Sequence, residues 1–185
     1  RPTAPFLTRL ASEGTRFADN ISQGTWTKVS VPSILSSLYP TSNRIAKVTD
    51  RLPSSVTILP EVFNDAGYAT LSTSSVQFTG RLTNLHQGVE VLHERSSVPD
   101  LEHSSAKTAR TFVDRLVPWL EDHRDVPFFV FLHVFDPHSP FEPYRPYDTA
   151  WAPPDGKDAH QERVDTIREA LDEDDRGREN LPLDI

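Results

Sequence analysis

The segment Phe128–Phe135, FFVFLHVF, constrains the fold of this chain more than any other. It is too uniformly apolar for a half-exposed ribbon, in which apolar and polar residues alternate, so it is expected to be a central strand covered on both faces. Strands of that kind belong to sheets with helices on either side. The neighbouring segments agree, because helix patterns precede strand patterns twice over, which predicts an α/β sheet with parallel connections.

Pro5–Glu13, PFLTRLASE, gathers Phe6, Leu7, Leu10 and Ala11 on one helical face, with Gly14 following as a C′ residue. Thr15–Ile21 reads as a strand leading toward Thr27. A short helix is expected over Val31–Leu38, with Ser30 as N-cap and Pro32 near the first turn, where its missing N–H does no harm. Ile58–Ala66 reads as a helix closed by Gly67, and Tyr68–Ser72 as a short strand. Ser104 or Ser105 caps a longer helix with an apolar stripe of Ala106, Ala109, Val113, Leu116, Val117 and Leu120, kinked near its end by Pro118. Beyond Ala150 a Pro-rich loop leads to a surface helix, Ala159–Leu171, with Val164, Ile167 and Leu171 as its seam. Residues 1–151 and the tail 152–185 are expected to be parts of one domain.

At 185 residues the chain is long enough for one substantial core. Its net charge is −8, and 155–185 hold 11 acidic against 5 basic residues, so most of the excess sits in the tail. An acidic chain without clustered Lys and Arg is a poor match for a nucleic-acid backbone. The absence of Cys removes disulfides, thiolate metal sites and a Cys nucleophile together. No apolar run approaches the roughly 18 residues of a membrane span.

In a parallel α/β sheet, ligand sites lie beyond the carboxyl ends of the strands. Asp136-Pro137-His138, directly after FFVFLHVF, falls in that place, and the prolines around it would hold His138 in a fixed position to donate to an anion or a leaving-group oxygen. A Pro-rich turn initiated by Asp136 is the plainer reading of the same residues. His133, inside the strand, reads as a satisfied core histidine. Asp136 and His138 are only two potential metal ligands, and His86, His93, His103, His123 and His160 show no ligand-like spacing.

Two hydroxyls stand out in Trp26–Pro40, WTKVSVPSILSSLYP. Thr27 and Ser30 each lie at a helix start, where unpaired N–H groups favour an anion and help to ionise a nearby hydroxyl. A lone hydroxyl needs a base or a metal to become a nucleophile. Taken alone, Ser30 reads as a cap.

Several separated segments, in order, resemble the sulfatases of the alkaline phosphatase superfamily: TAPFLTRLASEGTRFADNISQ, WTKVSVPSILSSLYPTSNRI, DAGYATLSTSSVQF with HQGVEVLHE, and PFFVFLHVFDPHSPFEPY. The resemblance runs from about Arg1 to Trp151. It implies a mixed, largely parallel sheet sandwiched by helices, here incomplete, a divalent metal (Ca²⁺, Mn²⁺, Mg²⁺ or Zn²⁺), and hydrolysis of sulfate or phosphate esters through a covalent intermediate. Ser30-Val31-Pro32-Ser33 imitates the family's C/S-x-P-S-R nucleophile motif. The family's spacing of twelve residues to the Tyr of its closing Tyr-Pro, however, leads from Tyr39 back to Thr27, with Ser30 only nine away. Thr27 is therefore assigned as nucleophile and metal ligand, Ser30 as the alternative nucleophile, and Lys28 and His138 as substrate-binding residues. Arg81, in SVQFTGRLTNLHQG, stands where many relatives carry a Lys-rich segment.

Formylglycine is made from Cys or Ser, and Thr in this place resembles phosphodiesterase and phosphoethanolamine-transferase relatives. The expected activity is sulfate-ester hydrolysis, with a phosphodiester hydrolase or phosphoethanolamine-type transferase as one alternative and a catalytically inactive binding domain as another. The resemblance places the remaining metal ligands outside this chain, expects a small-molecule, glycan or lipid ester as substrate, and suggests a periplasmic, secreted or membrane-anchored protein.

Overall fold

A computed structural model describes residues 4–95, 108–136, 138, 162–163, 165–167 and 169–170. By contacts the chain divides into two units, 13–142 and the combination of 1–12 with 143–185. The smaller unit holds most of helix α1 (Pro5–Glu13), whose Phe6, Leu7 and Leu10 are all exposed, and the described part of the tail, which is helical and exposed. The bounds of α1 are those its periodicity predicts. Val164 and Leu171 lie outside the described residues.

The larger unit is α/β. Its helices are α2 (Thr27–Ser36), α3 (Pro40–Asn43), α4 (Leu59–Asp65) and α5 (Ala109–Asp122), and its strands are β1 (Ala69–Ser74), β2 (Val91–Glu94) and β3 (Phe128–His133). The described strands form one open sheet in the order β2-β1-β3, all parallel, with Leu71 aligned to Val91 on one side and to Val130 on the other. Among the described residues no helix is long and apolar enough to cross a membrane.

Alternation along the strands decides what each face meets. Phe129 and Phe131 pack on a core of Val31 and Leu35 from α2 with Ile45, Leu52, Ile58 and Leu85. On the opposite face Trp119 of α5 meets Phe128 edge-on and Phe112 packs against Val134. The buried stripe of α5 runs through Phe112 and Leu116, while Val113 and Val117, expected to be inside, face solvent. The expected caps Ser104 and Ser105, and Ala106, lie outside the described residues.

Two expectations are corrected. Thr15–Ile21 is not a strand: the segment is irregular and exposed, with no neighbouring strand among the described residues to take its backbone hydrogen bonds. The strand at the centre of the described sheet is not FFVFLHVF but the polar β1, ATLSTS, buried along almost its whole length. Its hydroxyls tolerate burial because they are paired. Thr70 Oγ1 donates to Gly88 O at 2.7 Å and accepts from Glu90 N at 3.0 Å, and Thr73 Oγ1 accepts from His133 N at 2.9 Å. β3 is an edge of the described sheet, with Phe128 and Leu132 partly open.

Gly67, at φ +82°, ends α4 as its sequence predicts, and Glu61 reaches back to the N–H of Ile58 at 3.0 Å to close the first turn. After α2 the left-handed position falls instead on Ser37 (φ 56°). Buried Asn43 then fixes the turn beyond α3, donating to Ser33 Oγ at 3.2 Å and Leu38 O at 3.3 Å while accepting from Ile45 N at 3.0 Å.

Candidate active site at the carboxyl edge of the sheet

Helix α2 begins four residues earlier than its serine suggests. Trp26 is the N-cap residue, in extended conformation (φ −146°, ψ 158°), and Thr27 is the first helical residue. Ser30 is therefore not a cap. It lies inside the helix, where its Oγ donates to Trp26 O at 3.1 Å, and Ser33 and Ser36 bond back in the same way to Val29 and Pro32. Pro32 likewise sits well inside α2 rather than in its first turn.

The start of α2 is held by tertiary contacts instead of a side-chain cap. Lys28 is fully buried, and its Nζ donates to Asp50 O at 2.5 Å and to Thr83 Oγ1 at 2.7 Å while lying 5.8 Å from the centre of the Phe78 ring. Burial pushes this amine below its ordinary range, an effect the Asp50 carboxylate opposes and Arg51 reinforces. Trp26 meets the same Phe78 ring edge to face, with 5.9 Å between centroids. Thr27, half-buried, thus stands at the N-terminus of a ten-residue helix, where the unpaired N–H groups and the helix dipole favour negative charge.

Phe78 connects this helix start to a cavity of about 880 Å³. The cavity lies where the chain leaves β1 and β2. Ser74 and Glu94, paired in register at the carboxyl ends of those strands, both line it. Its cationic groups are Arg51, Arg81 and Arg95, and its apolar wall is Val76, Phe78 and Leu82. Glu94 accepts from Arg81 N at 2.7 Å and lies 3.5 Å from its guanidinium. Gly80 permits this approach, since a Cβ there would sit 2.2 Å from Glu94 Oε1. His86 also lines the cavity. Burial, with Arg81 and Arg51 nearby, holds its imidazole below the ordinary range against the pull of Glu94.

At the third strand end the expected loop carries two functions. Asp136 Oδ2 accepts from Thr108 N, Thr108 Oγ1 and Ala109 N at 2.8–2.9 Å, which caps α5. His138, exposed, stacks on Phe135 with 4.1 Å between centroids, and its N–H donates to Phe135 O. His133 is bound within the fold as its position in the strand suggests, its Nδ1 2.5 Å from Ser75 Oγ. Burial keeps this imidazole below its usual range. The structure thus places Thr27 and Lys28 together at the start of α2 and His138 beyond β3. Sequence reasoning missed Arg51, Arg95, Glu94 and His86. Glu94 and Arg95 carried a usable signal, a charged pair where strand β2 ends.

The sulfatase family pattern matches residues 1–176 of this chain. The chain belongs to the sulfatase family. No curated protein and no solved structure gives a significant match. Family membership makes this a sulfatase-like domain of the alkaline phosphatase superfamily, a group of ester hydrolases that generally depend on a divalent metal. Among the described residues no group of three or more His, Asp or Glu side chains could hold such an ion, and Asp136 is already committed to α5. The described residues of this sulfatase-family chain therefore do not form a metal site by themselves.

Proposed function

We propose that this sulfatase-family chain carries the nucleophile and part of the substrate site of a sulfate-ester hydrolase, with Thr27 as nucleophile. The observation that carries this reading is the position of Thr27 at the first turn of α2, next in sequence to Trp26, which packs on the Phe78 wall of a cation-lined cavity, while the Ser30 hydroxyl is engaged with Trp26 O. Thr27 Oγ1 attacks the sulfur in line with the ester oxygen. The Thr27 hydroxyl proton passes to solvent as the sulfur–oxygen bond to the alcohol breaks, the departing oxygen takes a proton from water, and His138 steadies the anion or that oxygen. Water then releases sulfate and restores the threonine. The helix N-terminus stabilises the negative charge that gathers on the transferred group. Lys28, expected to bind substrate, is buried with its Nζ directed to Asp50 O and Thr83 Oγ1, so its part is to hold the start of α2 in place. The divalent ion of the family would take Thr27 as one ligand and would supply Lewis-acid activation of that hydroxyl.

One observation favours a second reading. A threonine is not a precursor of formylglycine, so a phosphodiester hydrolase or a phosphoethanolamine-type transferase fits the same nucleophile. Turnover of an aryl sulfate and of a bis-aryl phosphate by the full-length protein, each with Ca²⁺, Mn²⁺, Mg²⁺ and Zn²⁺ in turn, separates them. Faster cleavage of the sulfate supports the first reading and faster cleavage of the diester the second. Failure of both esters with every metal supports the non-catalytic binding domain.

A further inference from the structure

We infer that the cavity beside α2 is a subsite for a second anionic group on the substrate, a carboxylate or sulfate carried by the alcohol part of the ester. This inference rests on the hydrolase reading above and names the class of leaving group that the reading leaves open.

Size leaves room for more than a lone oxyanion. A cavity of about 880 Å³ is far larger than a single oxyanion and falls in the range of about 300–1,000 Å³ that encloses an organic ligand. Its walls are also divided by chemistry. Val76, Phe78 and Leu82 offer an apolar surface to a carbon skeleton, while three guanidinium groups, Arg51, Arg81 and Arg95, face one carboxylate, Glu94. In a chain of net charge −8 such a concentration of cations is local, and nothing in the bulk composition produces it. Glu94 sits against Arg81 at 3.5 Å, and Arg51 turns toward the backbone of the same residue, its Nη2 3.4 Å from Arg81 O. These contacts orient the planar groups that match a carboxylate or sulfate with paired hydrogen bonds.

A second observation is independent of charge. Among the described residues His86 Nδ1 is the one buried side-chain nitrogen or oxygen without a hydrogen-bond partner, and His86 lines this cavity. That nitrogen is closed off from the cavity space, so His86 contributes to the wall through the rest of its ring. Phe78 relates the cavity to the reaction. The ring that lines it also contacts Trp26, the residue before Thr27, which joins the cavity wall to the start of α2.

The test uses the full-length protein and three product-like probes: phenol, 3-hydroxybenzoate and 3-hydroxybenzenesulfonate, titrated by calorimetry. The two charged probes distinguish a carboxylate subsite from a sulfate-like one. At least one should bind about tenfold or more tightly than phenol, and the advantage should shrink as salt is raised. Arg51→Gln and Arg95→Gln, made singly and shown to be folded by circular dichroism, should each reduce that advantage, with Arg95→Lys restoring part of it. Equal binding of all three probes, no binding of any, or an advantage that survives both substitutions would overturn the inference. A charged-probe advantage in a protein that hydrolyses no ester keeps the subsite and rejects the hydrolase.

Discussion

Asp136 holds Thr108 in place at the start of α5. Its Oδ2 accepts from Thr108 N at 2.8 Å and from Thr108 Oγ1 at 2.9 Å, while Thr108 Oγ1 accepts from Phe135 N at 2.6 Å. Two residues distant in sequence thus join the N-terminus of a helix to the end of a strand. The carboxylate that a loop motif offers as a metal ligand works here as a tertiary helix cap. It also fixes the point from which the chain turns to His138.

Replacing Asp136 by Ala should therefore destabilise the protein by about 2–3 kcal/mol, since buried donors at the helix start lose a charged acceptor. Asp136→Asn keeps one acceptor oxygen and should lose less. Urea denaturation measures both, and equal stability of Asp136→Ala and the parent would show that the cap is not holding α5.

Three histidines set the response to acid. His133, His86 and His93 all have imidazoles held below the ordinary value of 6.5 by burial, with Arg115 adding to the effect at His93. Below that value the unfolded chain binds protons that the folded chain refuses, so stability must fall as pH drops from 6.5 toward the lowered folded values. Well above 6.5, from about pH 8, these groups are neutral in both states and give no slope. The urea midpoint should be flat above about pH 8, begin to fall below about 7.5 and fall most steeply below about 6.5, and His133→Asn should flatten part of that decline. A midpoint that rises on acidification would contradict the sign.

Gly88 leaves no room for a side chain. It has φ +68°, and a Cβ would lie 2.4 Å from Glu61 N and Cα, which are backbone atoms at the start of α4 and cannot swing aside. Gly88→Ala should cost about 2–4 kcal/mol through strain and overpacking, with loss of the Thr70 Oγ1 bond to Gly88 O as the loop moves. By contrast, Gly67 is also left-handed but has open space around a Cβ, so Gly67→Ala should cost only about 1 kcal/mol. Thermal melts of the two variants should differ accordingly, and equal losses would refute the packing argument.

Local signals carried α1, α4 and the parallel α/β character, because side-chain period and a glycine at a helix end act within a few residues. The start of α2 was not legible. Ser30 looks like a cap in sequence, yet the first turn is placed by Lys28 reaching Asp50 and Thr83 and by Trp26 on Phe78, contacts that span many residues. The burial of β1 was hidden for the same reason, since Thr70 and Thr73 find their partners in the loop before β2 and at the end of β3. The cavity draws Arg51, Arg81 and Arg95 from three separate segments, and their charges are diluted by the acidic tail in any sum over the chain. Family spacing points to Thr27 where local text points to Ser30, and the fold places the former at the helix start and the latter inside it.

The choice of nucleophile is decided by ester turnover in Thr27→Ala and Ser30→Ala of the full-length protein, measured beside the parent on whichever ester it cleaves. Thr27→Ala should lose activity by about a thousandfold or more while remaining folded, and Ser30→Ala should retain most of it. Full activity in Thr27→Ala together with its loss in Ser30→Ala would show that the serine, and with it the formylglycine chemistry of the family, is the working group.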